Sequence, residues 1–164
     1  MDFETLRENL QNGKVSCVQV LKAYQSQALK IHQKTNCITH FCEDALQAAE
    51  ALDRIPVDDR MPLHGIPISL KEHIHLKGQD ATLGLYKLLD NPAKSDANFV
   101  KLLKHLGAIP FCRTNLPQTC ISFECSNPLF GSTTNILDSK RSPGGSSGGE
   151  ATLIKGGGSI LGVG

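Results

Sequence analysis

The segment Arg141-Ser142-Pro143-Gly144-Gly145-Ser146-Ser147-Gly148-Gly149-Glu150 sets two hydroxyls between two pairs of glycines. Glycine lacks the Cβ that forbids unusual backbone angles, and it lets another group approach the main chain closely. A strained turn is therefore affordable here. An apolar helical stretch follows, which puts Ser146 or Ser147 at a helix N-terminus, where free N–H groups and the helix dipole favour an anion or an oxyanion. A serine alone is a weak nucleophile and needs a base. Three kinds compete: a histidine in a Ser-His-Asp arrangement, a lysine kept neutral by burial, and a carboxylate. Lys71 ends an alternating apolar run, where desolvation would favour the amine form. A lysine in that position can equally be a solvated edge residue.

Two other chemistries are open to these residues. His73 and His75 flank Ile74 and on a strand would share a face, a spacing compatible with a metal. No third ligand of convincing spacing accompanies them, and a structural metal site normally takes four. Core or surface histidines, and no metal, are the expectation. The glycine-serine loop could cradle a nucleotide phosphate, but the P-loop pattern ends in glycine, lysine and a hydroxyl residue. Here Gly149 is followed by Glu150 and Ala151, and the acid would repel phosphate.

Composition narrows the partners. Lys and Arg total 17 against 16 Asp and Glu, so no net field exists to hold nucleic acid or an anionic membrane by charge. No nucleic-acid partner is expected. The N-terminus has neither a basic n-region nor an apolar h-region, and no run of eighteen apolar residues occurs. The chain reads as neither secreted nor membrane-spanning. Its cysteines (Cys17, Cys37, Cys42, Cys112, Cys120 and Cys125) form no C-x-x-C pair and are few for a disulfide scaffold of this length. They read as reduced thiols in an intracellular compartment.

Elements must position Lys71 and the two serines. Asp2 is placed to cap a short helix with Phe3, Leu6 and Leu10 on one stripe, stopped by Asn12-Gly13. Ser16 caps a longer one bearing Val20, Leu21, Tyr24, Ala28 and Ile31. Cys37 to Phe41 reads as a strand and Glu43 to Leu52 as a helix. From Ile66 to Lys71 the alternation puts Ile66, Ile68 and Leu70 on one side and Ser69 and Lys71 on the other, with Lys71 at the strand's end. After a long polar loop, Ser95-Asp96 is the predicted N-cap of a helix bearing Phe99, Val100, Leu102, Leu103 and Leu106, which Gly107 ends. Ala108 to Cys112 follows as a strand. Strand, helix and strand with a short last connection predict a βαβ unit with parallel neighbours and a right-handed crossover. The class is α/β. Residues 144–164 hold nine of the fifteen glycines, yet Ala151 to Ile154 and Ile160 to Val163 are too apolar for a linker, so this stretch is read as a folded site.

Several separated pieces resemble one family together. They are Leu63-His64-Gly65-Ile66-Pro67-Ile68-Ser69-Leu70-Lys71-Glu72, Lys77-Gly78, Gly107-Ala108-Ile109-Pro110, Thr114-Asn115, Ser126-Asn127-Pro128-Leu129-Phe130-Gly131, and Ser142 through Glu150. In order and spacing they look like the amidase-signature family, over most of the chain beyond residue 60. Cys125 through Gly131, and Glu150 after the glycine-serine run, are more similar to its fatty-acid amide hydrolases than to its bacterial amidases or tRNA-dependent amidotransferase subunits. The fold implied is α/β, with a mixed, largely parallel sheet flanked by helices. Residues 1–55 form an N-terminal helical layer of the same domain, and residues 56–164 the amidase-signature core, cut before the nucleophile segment.

The resemblance further implies a Ser-Ser-Lys triad without metal or organic cofactor. Carried onto this chain, the buried lysine is Lys71. The bridging serine, which the family holds after a cis glycine-serine peptide, is Ser146, with Gly145 and Ser147 in support. Ser146 and Cys120 are the substrate-binding expectation, Cys120 aligning with a position whose main chain lies near the acyl group. Neutral Lys71 would take a proton from Ser146, Ser146 one from the nucleophile, and protons would return to the leaving amine, a Ser-Lys variant of triad logic. The nucleophile and oxyanion amides belong to a Gly-Gly-Ser segment that follows; Gly162-Val163-Gly164 resembles the run just ahead of it, and Ser159 matches a position before the nucleophile. The expectation is a fatty-acid amide hydrolase-type amidase working through an acyl-enzyme, with the 164 residues inactive by themselves. The alternative is a non-catalytic truncated isoform or incomplete gene product. The implied partner is a fatty-acid amide or related small amide. Membrane association would come only through parts outside these residues, the expected location is the cytoplasm or the cytoplasmic face of a membrane, and the full-length form leaves room for a homodimer.

Overall fold

In the computed structural model, which describes residues 2–164, local signals set the N-terminal helices. Helix α1 (Phe3–Gln11) starts where the Asp2 carboxylate accepts the Thr5 N–H. Helix α2 (Cys17–Thr35) starts at a full capping box: Ser16 Oγ accepts the Gln19 N–H, and the Gln19 side chain accepts the Ser16 N–H. It ends at Asn36, whose left-handed backbone (φ 53°) stops the turn. The predicted stripes are the buried ones: Leu6 and Leu10 on α1, and Val20, Leu21, Ala28 and Ile31 on α2. A third helix, α3 (Ala45–Leu52), packs on α2.

The main sheet runs in the order β1 (Ile38–Phe41), β3 (Ile109–Thr114), β2 (Pro67–Lys71), β6 (Leu161–Val163). Strand β2 is parallel to both neighbours and β1 is antiparallel to β3, so the sheet is mixed with a parallel centre. Helix α4 (Asn98–His105) connects β2 to β3, and α5 (Gly148–Lys155) leads into β6. A hairpin of two-residue strands, β4 (Ser126–Asn127) and β5 (Gly131–Ser132), stands apart. Helix α5 packs on β2, β3 and β6, and α2 packs on α5 and β2. All five residues of central β2 are buried, so both of its faces are covered. The alternation of Ile68 and Leu70 with Ser69 and Lys71 therefore separates an apolar face from a polar but equally dry one. Among the described residues no helix is long and apolar enough to cross a membrane.

Among the boundaries that differ from the sequence reading, two have partners that explain them. Helix α4 is not capped by Ser95 or Asp96; its N-cap is Ala97, with no side-chain bond. The Asp96 carboxylate is taken up elsewhere, accepting the Lys77 N–H at 2.7 Å and pairing with Lys104 Nζ at 2.9 Å. Strand β3 continues past Cys112 to Thr114, because Arg113 and Thr114 have partners inside. The Arg113 guanidinium donates to the carbonyls of Glu72, Ile74 and Asp80 and so pins the loop that leaves β2.

Candidate active site

Lys71 closes β2, and its side chain, 3% exposed, is aimed at the turn that begins α5. Its Nζ donates to Ser146 Oγ at 2.7 Å and to Ser147 Oγ at 3.0 Å. Ser146 and Ser147, open alternatives on the residues alone, thus both reach the lysine. The Gly145–Ser146 peptide is cis. A Cβ on Gly145 would stand 2.5 Å from the Glu124 carbonyl and 2.6 Å from that of Ser122, so only glycine lets the turn lie against residues 122–124. Ser147 is the N-cap residue of α5: its carbonyl accepts the Ala151 N–H, while its side chain makes no cap bond and faces Lys71.

The second glycine pair serves contact, not flexibility. A Cβ on Gly149 would fall 2.5 to 2.7 Å from the Asn115 main chain and the Cys37 carbonyl, and one on Gly148 would fall 2.5 Å from Cys125 Cβ. Without side chains, the first turn of α5 presses onto the exit of β3. The Asn115 amide donates to the Gly131 carbonyl and Thr133 Oγ1, and Asn127 Nδ2 donates to Asn115 Oδ1 and the Leu116 carbonyl. The Thr114-Asn115 and Ser126-to-Gly131 pieces, distant in sequence, thus form one hydrogen-bonded platform under the serine turn.

A cluster that sequence reading did not assemble lies on the same dry face. Glu150, 4% exposed in the first turn of α5, has Oε2 2.6 Å from Ser69 Oγ and Oε1 2.7 Å from Thr114 Oγ1. Ser69 Oγ lies 3.0 Å from Ser159 Oγ, which donates to the Leu161 carbonyl at 2.8 Å. Burial pushes the Glu150 carboxyl up to about 7, with the Thr114 hydroxyl and Lys71 pulling the other way. The available signal was Ser69, two residues before Lys71 and so on the same face of its strand.

The remaining predicted residues fall as follows. Cys120 sits half-buried in the turn after β3, and it and Thr119 both adopt left-handed backbone, φ 59°. That conformation is strained for side-chain-bearing residues. Burial raises the Cys120 thiol, with Lys71 near enough to oppose the shift. Next to it, Ile121 and Phe123 are 84% and 92% exposed. All six cysteines are free. Among the described residues no group of three or more His, Cys, Asp and Glu side chains is gathered as a metal site requires. A lysine side chain in direct contact with a half-buried hydroxyl can exchange a proton with it, which is general acid–base geometry.

Comparison with known proteins follows the same lines. A family model described as Amidase matches residues 19–164. Fatty acid amide hydrolase 1 of Caenorhabditis elegans is 50% identical over all of this chain and 29% of its own length. Fatty-acid amide hydrolase 1 of Sus scrofa is 44% identical over 97% of this chain and 27% of its own. A solved structure titled fatty acid amide hydrolase superposes with a TM-score of 0.95 and 34% identity, over all of this chain and 30% of that one. The chain thus spans under a third of the length of each of these relatives.

Proposed function

The chain belongs to the amidase family, and from that premise we propose that it supplies the proton-transfer half of a Ser-Ser-Lys site that hydrolyses a fatty-acid amide. The carrying observation is the 2.7 Å contact between Lys71 Nζ and Ser146 Oγ on a buried strand end. In this reading the amine of Lys71 takes the Ser146 hydroxyl proton as Ser146 takes the proton of a nucleophilic serine. That serine adds to the amide carbonyl carbon. The protons then return through Ser146 to the leaving nitrogen, the C–N bond breaks, and water later cleaves the acyl ester. Ser147, the second acceptor of Lys71, holds the amine in line.

The nucleophile in this reading is the serine of a Gly-Gly-Ser segment beyond Gly164. A Cβ on Gly164 would lie 2.7 Å from Ser147 Oγ, so Gly164 stands beside one of the two hydroxyls that Lys71 contacts. The apolar Ile121 and Phe123, next to the Ser122 carbonyl that packs on Gly145, suit an acyl tail.

The test uses the protein extended to its natural end, with the Gly-Gly-Ser segment included. Lys71→Ala and Ser146→Ala are each expected to lower kcat/KM for an acyl amide by about a hundredfold or more. Near wild-type rates in either variant would overturn the assignment. Residues 1–164 alone should neither turn over the amide nor take up a fluorophosphonate label, and stoichiometric labelling would refute that part.

A further inference from the structure

The hydroxyls beneath the Lys71–Ser146 pair do not carry enough protons for the contacts they make. Start at the end that has no choice. The Leu161 carbonyl can only accept, so the Ser159 hydroxyl proton is committed to it at 2.8 Å. Ser159 Oγ, 3.0 Å from Ser69 Oγ, must then accept, which commits the Ser69 proton. Ser69 Oγ is also 2.6 Å from Glu150 Oε2, a hydrogen-bonding distance, and has no second proton to give. If Glu150 were a carboxylate, lone pairs would face one another in a buried contact, an expensive arrangement. A proton on Glu150 removes the conflict, and Thr114 Oγ1 then donates to the other oxygen, Oε1, at 2.7 Å.

We infer that Glu150 is held as the neutral acid, with its proton on the oxygen facing Ser69, and acts as a positioning residue for the Lys71–Ser146 pair by completing a one-way chain Glu150→Ser69→Ser159→Leu161. The chain ties the first turn of α5, which follows Ser146 and Ser147, to β2, which carries Lys71, and to β6. It fixes the relative placement of the three elements through donors that each have one acceptor. The groups able to act on the carboxyl electrostatically are Lys71 from β2, Cys112 from β3 and Cys37 just before β1.

The positioning role rests on the proposed function; the protonation state does not, and the experiment separates them. With ¹³C-labelled glutamate, the Glu150 side-chain carboxyl carbon, assigned through bonds to its own amide, should still show the protonated shift at pH 6, where exposed glutamates show the ionised one. Ionised Glu150 at that pH would overturn the inference, whatever the enzyme does. In the extended protein, Glu150→Gln keeps a donor toward Ser69 and an acceptor for Thr114, and should retain kcat within about threefold. Glu150→Leu should lose about tenfold or more, the scale of one broken buried hydrogen bond. Equal losses in the two variants would refute the positioning role while leaving the carboxyl titration to be judged by itself.

Discussion

Two buried glutamates, one after Lys71 and one after the serine turn, are treated in opposite ways. Glu72 is fully buried, and its carboxylate accepts the Thr82 N–H at 2.6 Å, the Thr82 hydroxyl at 2.8 Å and the Leu83 N–H at 3.1 Å. Main-chain N–H groups can only donate, so this pocket is built for an acceptor on both oxygens. Glu150 meets no main-chain donor among its hydrogen bonds, only hydroxyls that can turn either way. The lesson is that equal burial does not imply equal chemistry. Fixed donors make a carboxylate a structural clamp, whereas rotatable ones let a carboxyl keep its proton.

The largest expected effect breaks this contrast if it fails. At Glu72 a glutamine must aim its NH₂ at a main-chain N–H, so Glu72→Gln should cost about 2 to 4 kcal/mol in a urea melt. Glu150→Gln should cost less than about 1 kcal/mol, because its NH₂ replaces an O–H donor. Similar losses would mean that the two pockets are alike.

The next effect is in pH. The Glu150 carboxyl is raised from 4.5 to about 7 in the folded protein, so between those values the folded state binds more protons than the unfolded one. Its contribution to stability is complete below 4.5 and is lost as pH rises toward 7, by about 3 kcal/mol. Burial lowers His32, His40, His64 and His73. Their contribution runs the other way, since the unfolded state binds more protons as pH falls below the ordinary histidine range. The difference between wild type and Glu150→Gln isolates the carboxyl, and parallel stability curves would contradict the assignment. Smallest is Thr114→Val, expected to cost about 1 kcal/mol and to move the Glu150 titration upward, since the Thr114 bond holds it down. No upward movement would show that this hydroxyl is not aimed at Oε1.

What the sequence disclosed depended on how local each signal was. Caps at Asp2 and Ser16, the stripes of α1 and α2, and the alternation ending at Lys71 are set by neighbours within a few residues, and they appear where expected. Asp96 satisfies the same local rule for a cap, yet the Lys77 amide, nineteen residues away, claims its carboxylate. The Glu150 cluster was hidden for a different reason. Ser69 looks like a polar alternate in a strand, Ser159 like part of a glycine loop, and Glu150 like a first-turn acid that complements the helix dipole. Only the placement of β2 between β3 and β6 brings these three readings to one point. Lys71 and Ser146 could be named because a resemblance linked pieces that no periodicity connects.

Strand order also carries a cost in time. Central β2 finds one neighbour in β3 and the other in β6, and Lys71 meets Ser146 across 75 residues of chain. At 5–20 residues per second of synthesis, Lys71 is added to the chain about 4 to 15 s before its serine is. Contacts so far apart in sequence also form slowly. For that interval a lysine destined for a dry interior, on a strand with an unpaired edge, must remain in water. The Lys71–Ser146 pair therefore cannot form until synthesis has passed Ser146, and until β6 follows, that edge of β2 is open to mispairing and to chaperones.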